Sequence, residues 1–212
     1  MDQSKAAAAV FSKLAQLYQE KFMDVALYHD SFDLFCNSIE TENPHILELA
    51  CGPGNVTKYL LEQRGDFKIL GIDLAENMIA LAKTNNPKAE FKLMDCRDIK
   101  QLSTKYDGII CAFGLPYLSR DETTTLIADA SKILNPNGVL YLSTMEENDD
   151  NQSGWRKTST GENEMYMHYH KPKDIVRVLE ENGFNIIDLK HQDYPTNDGT
   201  KVVDLLIIAR IS

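Results

Sequence analysis

Five short apolar runs, most of them separated by segments of helical periodicity, constrain this chain more than any other feature. The runs lie at 45–49, 67–72, 91–94, 108–113 and 139–143, and helices suit the stretches at about 55–64, 75–84 and 120–134. Strands that are apolar nearly throughout, joined by helical crossovers, build a parallel sheet that needs cover on both faces. Gly65 stands just past the first of these helices, and Ser119 with Glu122 forms a capping box at the start of the third.

The two ends of the chain depart from this alternation. Val10, Phe11, Leu14, Leu17 and Tyr18 recur at helical spacing, which predicts an amphipathic helix over 5–23. A second helix is expected over 31–40, with Ser31 as its N-cap and Asn43-Pro44 ending it. Four alanines at 6–9 need no special reading in such a helix. Toward the other end, a helix over 173–182 stops at Asn182-Gly183. Apolar strands at 184–189 and 202–211 then follow with only a polar loop at 191–201 between them, which makes them antiparallel neighbours. The polar stretch that begins at 145 leads into Trp155, and 155–160 with 165–170 reads as a hairpin turning at 161–164. The expected fold class is α/β: a Rossmann-like three-layer sandwich around a seven-stranded, mostly parallel sheet with an antiparallel last strand.

Composition narrows the partners. The chain has 212 residues, 22 Lys and Arg against 32 Asp and Glu, and a net charge of −10. Phosphate affinity comes from neutralising basic side chains, so nucleic acid and anionic membrane are disfavoured. Cys36, Cys51, Cys96 and Cys111 are widely spaced with no C-x-x-C pair, so no disulfide framework or zinc site is expected. Without a basic leader or a long apolar stretch, the chain reads as cytoplasmic, a monomer or a homodimer.

The stretch most informative about chemistry runs from Ile46 to Thr57, a buried strand, a small-residue turn and a helix start. Gly52 and Gly54 let the backbone pass close to a ligand. At the tip of the next strand stands Asp73, 19 residues after Gly54, where a carboxylate can accept two hydrogen bonds from a ribose diol. Each feature has a plain alternative: a tight turn for the glycines, and for Asp73 a capping box with Glu76. Jointly they point to a nucleotide-type site. Thr57 occupies the third glycine position of a dinucleotide fingerprint, which opposes a nicotinamide-dependent oxidoreductase and favours an adenosine without phosphates.

With those residues in place, the chain resembles the class I S-adenosylmethionine-dependent methyltransferases over 45–145, and in outline throughout. Glu48-Leu49-Ala50-Cys51-Gly52-Pro53-Gly54 resembles the family's first motif, an acid followed by G-x-G-x-G, with Ala50 replacing the first glycine. The stretch from Gly71 through Asp73 to Met78 resembles the second motif, and Leu93-Met94-Asp95-Cys96 the third. Residues 106–113 resemble the fourth strand, and 134–140 the turn into the fifth. The resemblance implies roles residue by residue. Glu48 with the backbone of Ala50 and Gly52 would hold the methionine ammonium, and Asp73 the ribose with Leu74 under the adenine. Asp95 and Cys96 would read the adenine, and Ala112 and Phe113 would flank the sulfonium. Gly54, Asn55, Met78 and Tyr18 complete the expected S-adenosyl-L-methionine site, and no metal is expected.

The same resemblance implies direct methyl transfer to a small molecule, with positioning worth about 7–11 kcal/mol and a base needed only for a protonated acceptor. Residues 1–43 would form a helical lid over a methyltransferase domain at 44–212, with the 145–170 hairpin inserted. Acceptor candidates are Tyr18, Phe22, Tyr28, His29, Trp155, Tyr166 and His168, with Tyr117 and His168 as catalytic candidates. Gly114-Leu115-Pro116-Tyr117 lacks the Asn/Asp-Pro-Pro-Tyr pattern of DNA amine methylation. A non-catalytic S-adenosylmethionine-binding module is the alternative.

Overall fold

A computed structural model describes residues 2–149, 151–158, 161–195 and 202–212. Its core is a sheet of seven strands: β1 (His45–Leu49), β2 (Lys68–Asp73), β3 (Glu90–Leu93), β4 (Tyr106–Cys111), β5 (Leu134–Met145), β8 (Phe184–Tyr194) and β9 (Val202–Ile211). Across the sheet they stand in the order β3-β2-β1-β4-β5-β9-β8. β1, β2, β3, β4 and β5 pair in parallel, whereas β9 runs antiparallel to both β5 and β8. The expected mostly parallel sheet with an antiparallel last strand is what forms.

Alternate residues of each central strand serve opposite faces. Leu47, Ile109, Leu140 and Ile207 meet α6 (Arg120–Ile133) and α7 (Pro172–Glu181) in one core. Ile46, Ile110, Tyr141 and Ile208 meet α3 (His29–Ser38) and α4 (Asn55–Gln63) in the other. Helix α5 (Glu76–Asn85) packs Ile79 and Ala82 against Phe91 of β3. The Ser119–Glu122 capping box is present at α6, and Gly183 takes a left-handed φ of 82° after α7. Strand order reverses between β1 and β4, so the loops after these two strands diverge and leave a crevice at their carboxyl ends.

Several local expectations give way to tertiary packing. The single helix over 5–23 is two, α1 (Gln3–Lys13) and α2 (Ala15–Phe22), joined by non-helical backbone at Leu14. The break lets α1 lie across the crevice while Ala15 of α2 packs on Ala75 and Met78 at the start of α5. Ser31 does not cap α3, which begins two residues earlier. Its hydroxyl donates to Tyr28 O at 2.8 Å and lies 3.1 Å from the Tyr141 hydroxyl, so a buried partner across the core takes the oxygen a cap would have used. Asp73 and Glu76 form no capping box, because the N-cap of α5 is Ala75. Strand β8 extends to Tyr194, through much of the expected polar loop, because its edge pairs with β9 as far as Val202. The rest of that loop, at 196–201, lies outside the described residues.

The hairpin forms from β6 (Gly154–Lys157) and β7 (Glu164–Met167), though Ser159 and Thr160 lie outside the described residues. It is anchored where His168 N donates to Pro116 O at 2.8 Å and His170 N to Met145 O at 3.0 Å. No described helix is long and apolar enough to cross a membrane.

Candidate functional site

A cleft opens at the carboxyl ends of β1, β2 and β4, where the topology reverses. Its floor is Ala50 and Gly52 after β1, Asp73 and Leu74 at the end of β2, and Ala112, Phe113 and Gly114 after β4. Met78, Met94, Asp95 and Cys96 form one wall, and Tyr117 and Leu118 the opposite one. Ser4, Ala7, Ala8 and Phe11 of α1, with Tyr18 of α2, close the top.

The turn after β1 owes its shape to alternating left-handed residues. Ala50, Gly52 and Gly54 have φ of 52°, 53° and 79°. Glycine takes this conformation without cost, whereas an alanine is strained by its Cβ. Phe113, at the end of the adjacent β4, is also left-handed at φ 61°, and its N–H donates to Ser143 Oγ at 2.9 Å. Two non-glycine residues in this conformation, both on the cleft floor, fit the general tendency of backbone strain to collect at functional sites.

Asp73 joins two of the strand tips. Its Oδ2 accepts from Gly52 N at 2.9 Å and its Oδ1 from Ala75 N at 2.8 Å. Burial pushes its carboxyl above the usual range, and the N–H donors oppose that rise. Asp95 stands at the far wall, gripped by Arg97 through Nη2 at 2.6 Å and Nε at 3.0 Å. The same guanidinium reaches Asp2, the N-cap of α1, at 2.9 Å and Glu122 at 2.6 Å. One cation thus ties the covering helix to the wall beneath it.

Further bonds hold the cover down. Ser4 Oγ donates to Tyr117 O at 2.7 Å, Phe11 meets Tyr117 edge-on at 4.9 Å, and Asn77 Nδ2 donates to Ser12 O at 2.8 Å. Burial pushes the Tyr18 phenol up to about 12, with Asp73 contributing, and raises the Tyr117 phenol as well.

Of the residues singled out in the sequence, Tyr18, Ala50, Gly52, Asp73, Leu74, Met78, Asp95, Cys96, Ala112, Phe113 and Tyr117 all border the cleft. Glu48, Gly54, Asn55 and His168 are not among its lining residues. Glu48 is 2% exposed beneath the turn, where Thr57 Oγ1 donates to it, and burial pushes its carboxyl up to about 8. Gly54 is needed because a Cβ there would strike the Asn86 side chain at the end of α5. Asn55 Nδ2 donates to Phe22 O at 2.8 Å and so fastens α2. His168 lies beside Ser119, Arg120 and Glu147 in a separate polar depression, 3.2 Å from Gln3 Oε1, and burial lowers its pKa.

Among the acceptor candidates, Phe22 packs on Tyr18 with ring centroids 4.6 Å apart, and His29 stacks on Tyr59 at 4.3 Å. Trp155 is 55% exposed, edge-on to Tyr166. The alanine run at 6–9 reads along the chain as ordinary helix, yet Ala7 and Ala8 form part of the roof. Side chains of that size let α1 approach the floor closely. Ser4 and Leu118 carry no signal of their own in the sequence, while Phe11, Met94 and Gly114 stand there only as parts of a helical pattern, a motif and a loop.

None of the lining residues is Lys or Arg, and two are acids. Such a surface offers no neutralising partner to a phosphate and does offer one to a cation. Apolar flanks at Leu74, Met78 and Met94 suit a flat ring. The donor set therefore fits an adenosyl group carrying a positive sulfonium.

Comparison with known proteins agrees. Residues 46–138 match the methyltransferase domain family. The chain is 28% identical over 141 residues to the putative methyltransferase YqeM of Bacillus subtilis, covering 63% of this chain and 54% of that protein. It is 33% identical over 100 residues to trans-aconitate 2-methyltransferase of Delftia acidovorans, covering 46% of this chain and 37% of that enzyme. These matches thus span about half or less of the relatives' length. The crystal structure of magnesium protoporphyrin IX methyltransferase from Synechocystis with bound SAM superimposes with a TM-score of 0.70 at 17% identity. It covers 100% of this chain and 98% of that one, a likeness of fold. Family match over residues 46–138, sheet topology and cleft chemistry together support a class I S-adenosylmethionine-dependent methyltransferase.

Proposed function

We propose that the chain transfers the methyl group of S-adenosyl-L-methionine to a small-molecule acceptor. The observation that carries this reading is the Asp73 carboxylate on the floor of a cation-free, acid-bearing cleft, one residue from the apolar Leu74 and 2.9 Å from Gly52 N. When bound, the sulfonium supplies an already activated methyl group.

The chain's own residues have three tasks. Asp73 holds the ribose, Asp95 and the backbone at Cys96 read the adenine, and Leu74 and Met78 sandwich its ring. Ala112, Phe113 and Tyr117 shape the space in which the acceptor meets the sulfur. Residues 1–43 act as a lid, with Ala7, Ala8 and Phe11 excluding water and Tyr18 sealing the edge, and 44–212 form the methyltransferase domain with its 145–170 insert. Excluding water strengthens the attraction between the buried acids and a cationic donor. The acidic net charge of −10 supports a small molecule over nucleic acid as acceptor.

Titration calorimetry with S-adenosylmethionine and with S-adenosylhomocysteine tests the donor site. Saturable binding by the intact chain, lost in Asp73→Ala, is expected, and no heat at millimolar ligand removes the proposal. Incubation with labelled donor and a metabolite extract separates catalysis from the alternative of a non-catalytic binding module. A labelled small molecule is expected, and an extract that stays unlabelled despite tight donor binding favours the module.

A further inference from the structure

Every titratable side chain among the described residues lining the cleft is either engaged or holds its own proton. Asp73 has both oxygens taken by N–H groups, Gly52 at 2.9 Å and Ala75 at 2.8 Å. Asp95 is held by the Arg97 guanidinium at 2.6 and 3.0 Å. Burial pushes the Tyr18 phenol up to about 12 and raises the Tyr117 phenol and the Cys96 thiol, so all three stay protonated at neutral pH. Ser4 Oγ donates to Tyr117 O at 2.7 Å. No His, Lys or Arg stands among these lining residues.

What the cleft does offer is rings and negative charge. Phe11 of α1 meets Tyr117 edge-on at 4.9 Å and Tyr18 of α2 edge-on at 5.7 Å, and Phe113 borders the same space from the floor. Aromatic walls of this kind suit a flat ring packed edge-on or offset. We propose that the acceptor is an uncharged heteroaromatic ring and that the methyl group goes to its pyridine-type nitrogen, which carries a lone pair and no proton to lose. This rests on the methyl-transfer reading and names the acceptor class for it.

In the step, the ring-nitrogen lone pair forms the new N–CH3 bond as the S–CH3 bond breaks, and the electron pair of the broken bond stays on sulfur. No proton moves, so no protein group has to take one. The single positive charge passes from the sulfonium to the ring, and the cleft holds one cation before the step and one after it. Asp73 and the negative faces of the surrounding rings therefore have a cationic partner throughout.

Other acceptor classes fit this cleft poorly. An anionic acceptor needs a cation to seat it, and none lines the cleft. Its methylation would also cancel the donor's charge and leave the Asp73 carboxylate buried without a counter-charge, which is strongly unfavourable. A phenol, an alcohol or an alkylammonium must shed a proton, a task in which a positioned base is worth about 100- to 10,000-fold. Tyr117 acts here as a wall for the ring, not as a base.

The full chain, incubated with tritium-methyl-labelled S-adenosylmethionine, is offered quinoline, isoquinoline and 4-methylpyridine beside catechol, benzoate and methyl phenyl sulfide. Label is expected in a ring-nitrogen compound, as its N-methyl cation. Below the acceptor's own pKa the rate should fall about tenfold per pH unit as the nitrogen protonates, and above it the rate should be level. That midpoint should shift with the basicity of the acceptor, because the titrating group belongs to the acceptor and not to the protein. Calorimetry supplies a readout independent of turnover. With S-adenosylhomocysteine bound, the N-methylquinolinium cation should bind about tenfold or more tightly than 1-naphthoate, a two-ring anion of similar size. Tyr117→Leu should weaken binding of that cation about three- to tenfold, and Tyr117→Phe, which keeps the ring, should retain it. Label in no ring nitrogen overturns the inference. So does a pH midpoint that stays fixed across the acceptors, or naphthoate bound as tightly as the quinolinium cation. Failure to bind S-adenosylhomocysteine at all sinks instead the donor site on which the inference stands.

Discussion

Asp73 on β2 holds the turn after β1 in place by accepting the Gly52 N–H at 2.9 Å, so one carboxylate both builds the cleft floor and faces its contents. Replacing it by Asn keeps the volume, turns one acceptor into a donor and removes the charge. Charge-assisted hydrogen bonds contribute about 1.5–3 kcal/mol each, so Asp73→Asn should weaken donor binding by about 10- to 100-fold in calorimetry. Unchanged affinity would show that the ribose sits elsewhere.

Ala50 carries a left-handed φ of 52° where a glycine would be at ease. Such strain costs on the order of 1 kcal/mol. Ala50→Gly should leave stability level or raise it by up to about 1 kcal/mol, the extra unfolded-state entropy of glycine offsetting part of the relief. Ala50→Val should destabilise clearly. Urea midpoints of the three proteins decide this, and a large loss in the glycine variant would contradict it.

Glu48 is pushed by burial up to about 8, so it is mainly protonated in the folded chain at pH 7 while an unfolded glutamate is ionised. The folded state then binds the extra proton, and stability present below the unfolded pKa of about 4.3 is lost progressively as pH rises toward 8. Glu48→Gln removes that dependence. Its melting temperature should match wild type near pH 4–5 and exceed it at pH 8, by a free energy of a few kcal/mol. Parallel melting curves across this window would show that Glu48 is ionised.

Arg97 joins Asp2 of the covering segment to Asp95 and Glu122. Arg97→Met should free α1. Trypsin should then cut faster at Lys5 and Lys13, and donor affinity should fall by about three- to tenfold, from loss of a bonded charge network worth about 1 kcal/mol. Equal cleavage rates in variant and wild type would show that the other contacts of α1 suffice.

Ala8 lines the roof and is only part-buried. Leucine is tolerated by helices but needs volume the cleft would otherwise give its ligand. Ala8→Leu should cost donor binding about tenfold or more while shifting the melting temperature little. Wild-type binding in this variant would place the donor away from α1.

The β-α alternation was legible because each element carries its own period: the buried strands 45–49 and 108–113 are apolar nearly throughout, and the capping box at Ser119 marks a helix start within four residues. The glycine turn and Asp73 were legible because topology brings the carboxyl ends of neighbouring strands together whatever their side chains. Glu48 and Asn55 were harder. Both sit within a turn of the cleft in sequence, yet Thr57 draws one inward and Phe22 O draws the other toward α2.

Local periodicity and turn chemistry by themselves determined the layered sheet, its antiparallel final strand and the position of the crevice, since these follow from interactions among near neighbours in the chain. Tertiary structure alone decided that α1 bends away from α2 to roof the cleft, that two alanines line it, and that Tyr28 meets Asp204 across 176 residues. Those contacts depend on which surfaces approach once the sheet has folded, and no spacing along a chain encodes a distance between residues so far apart.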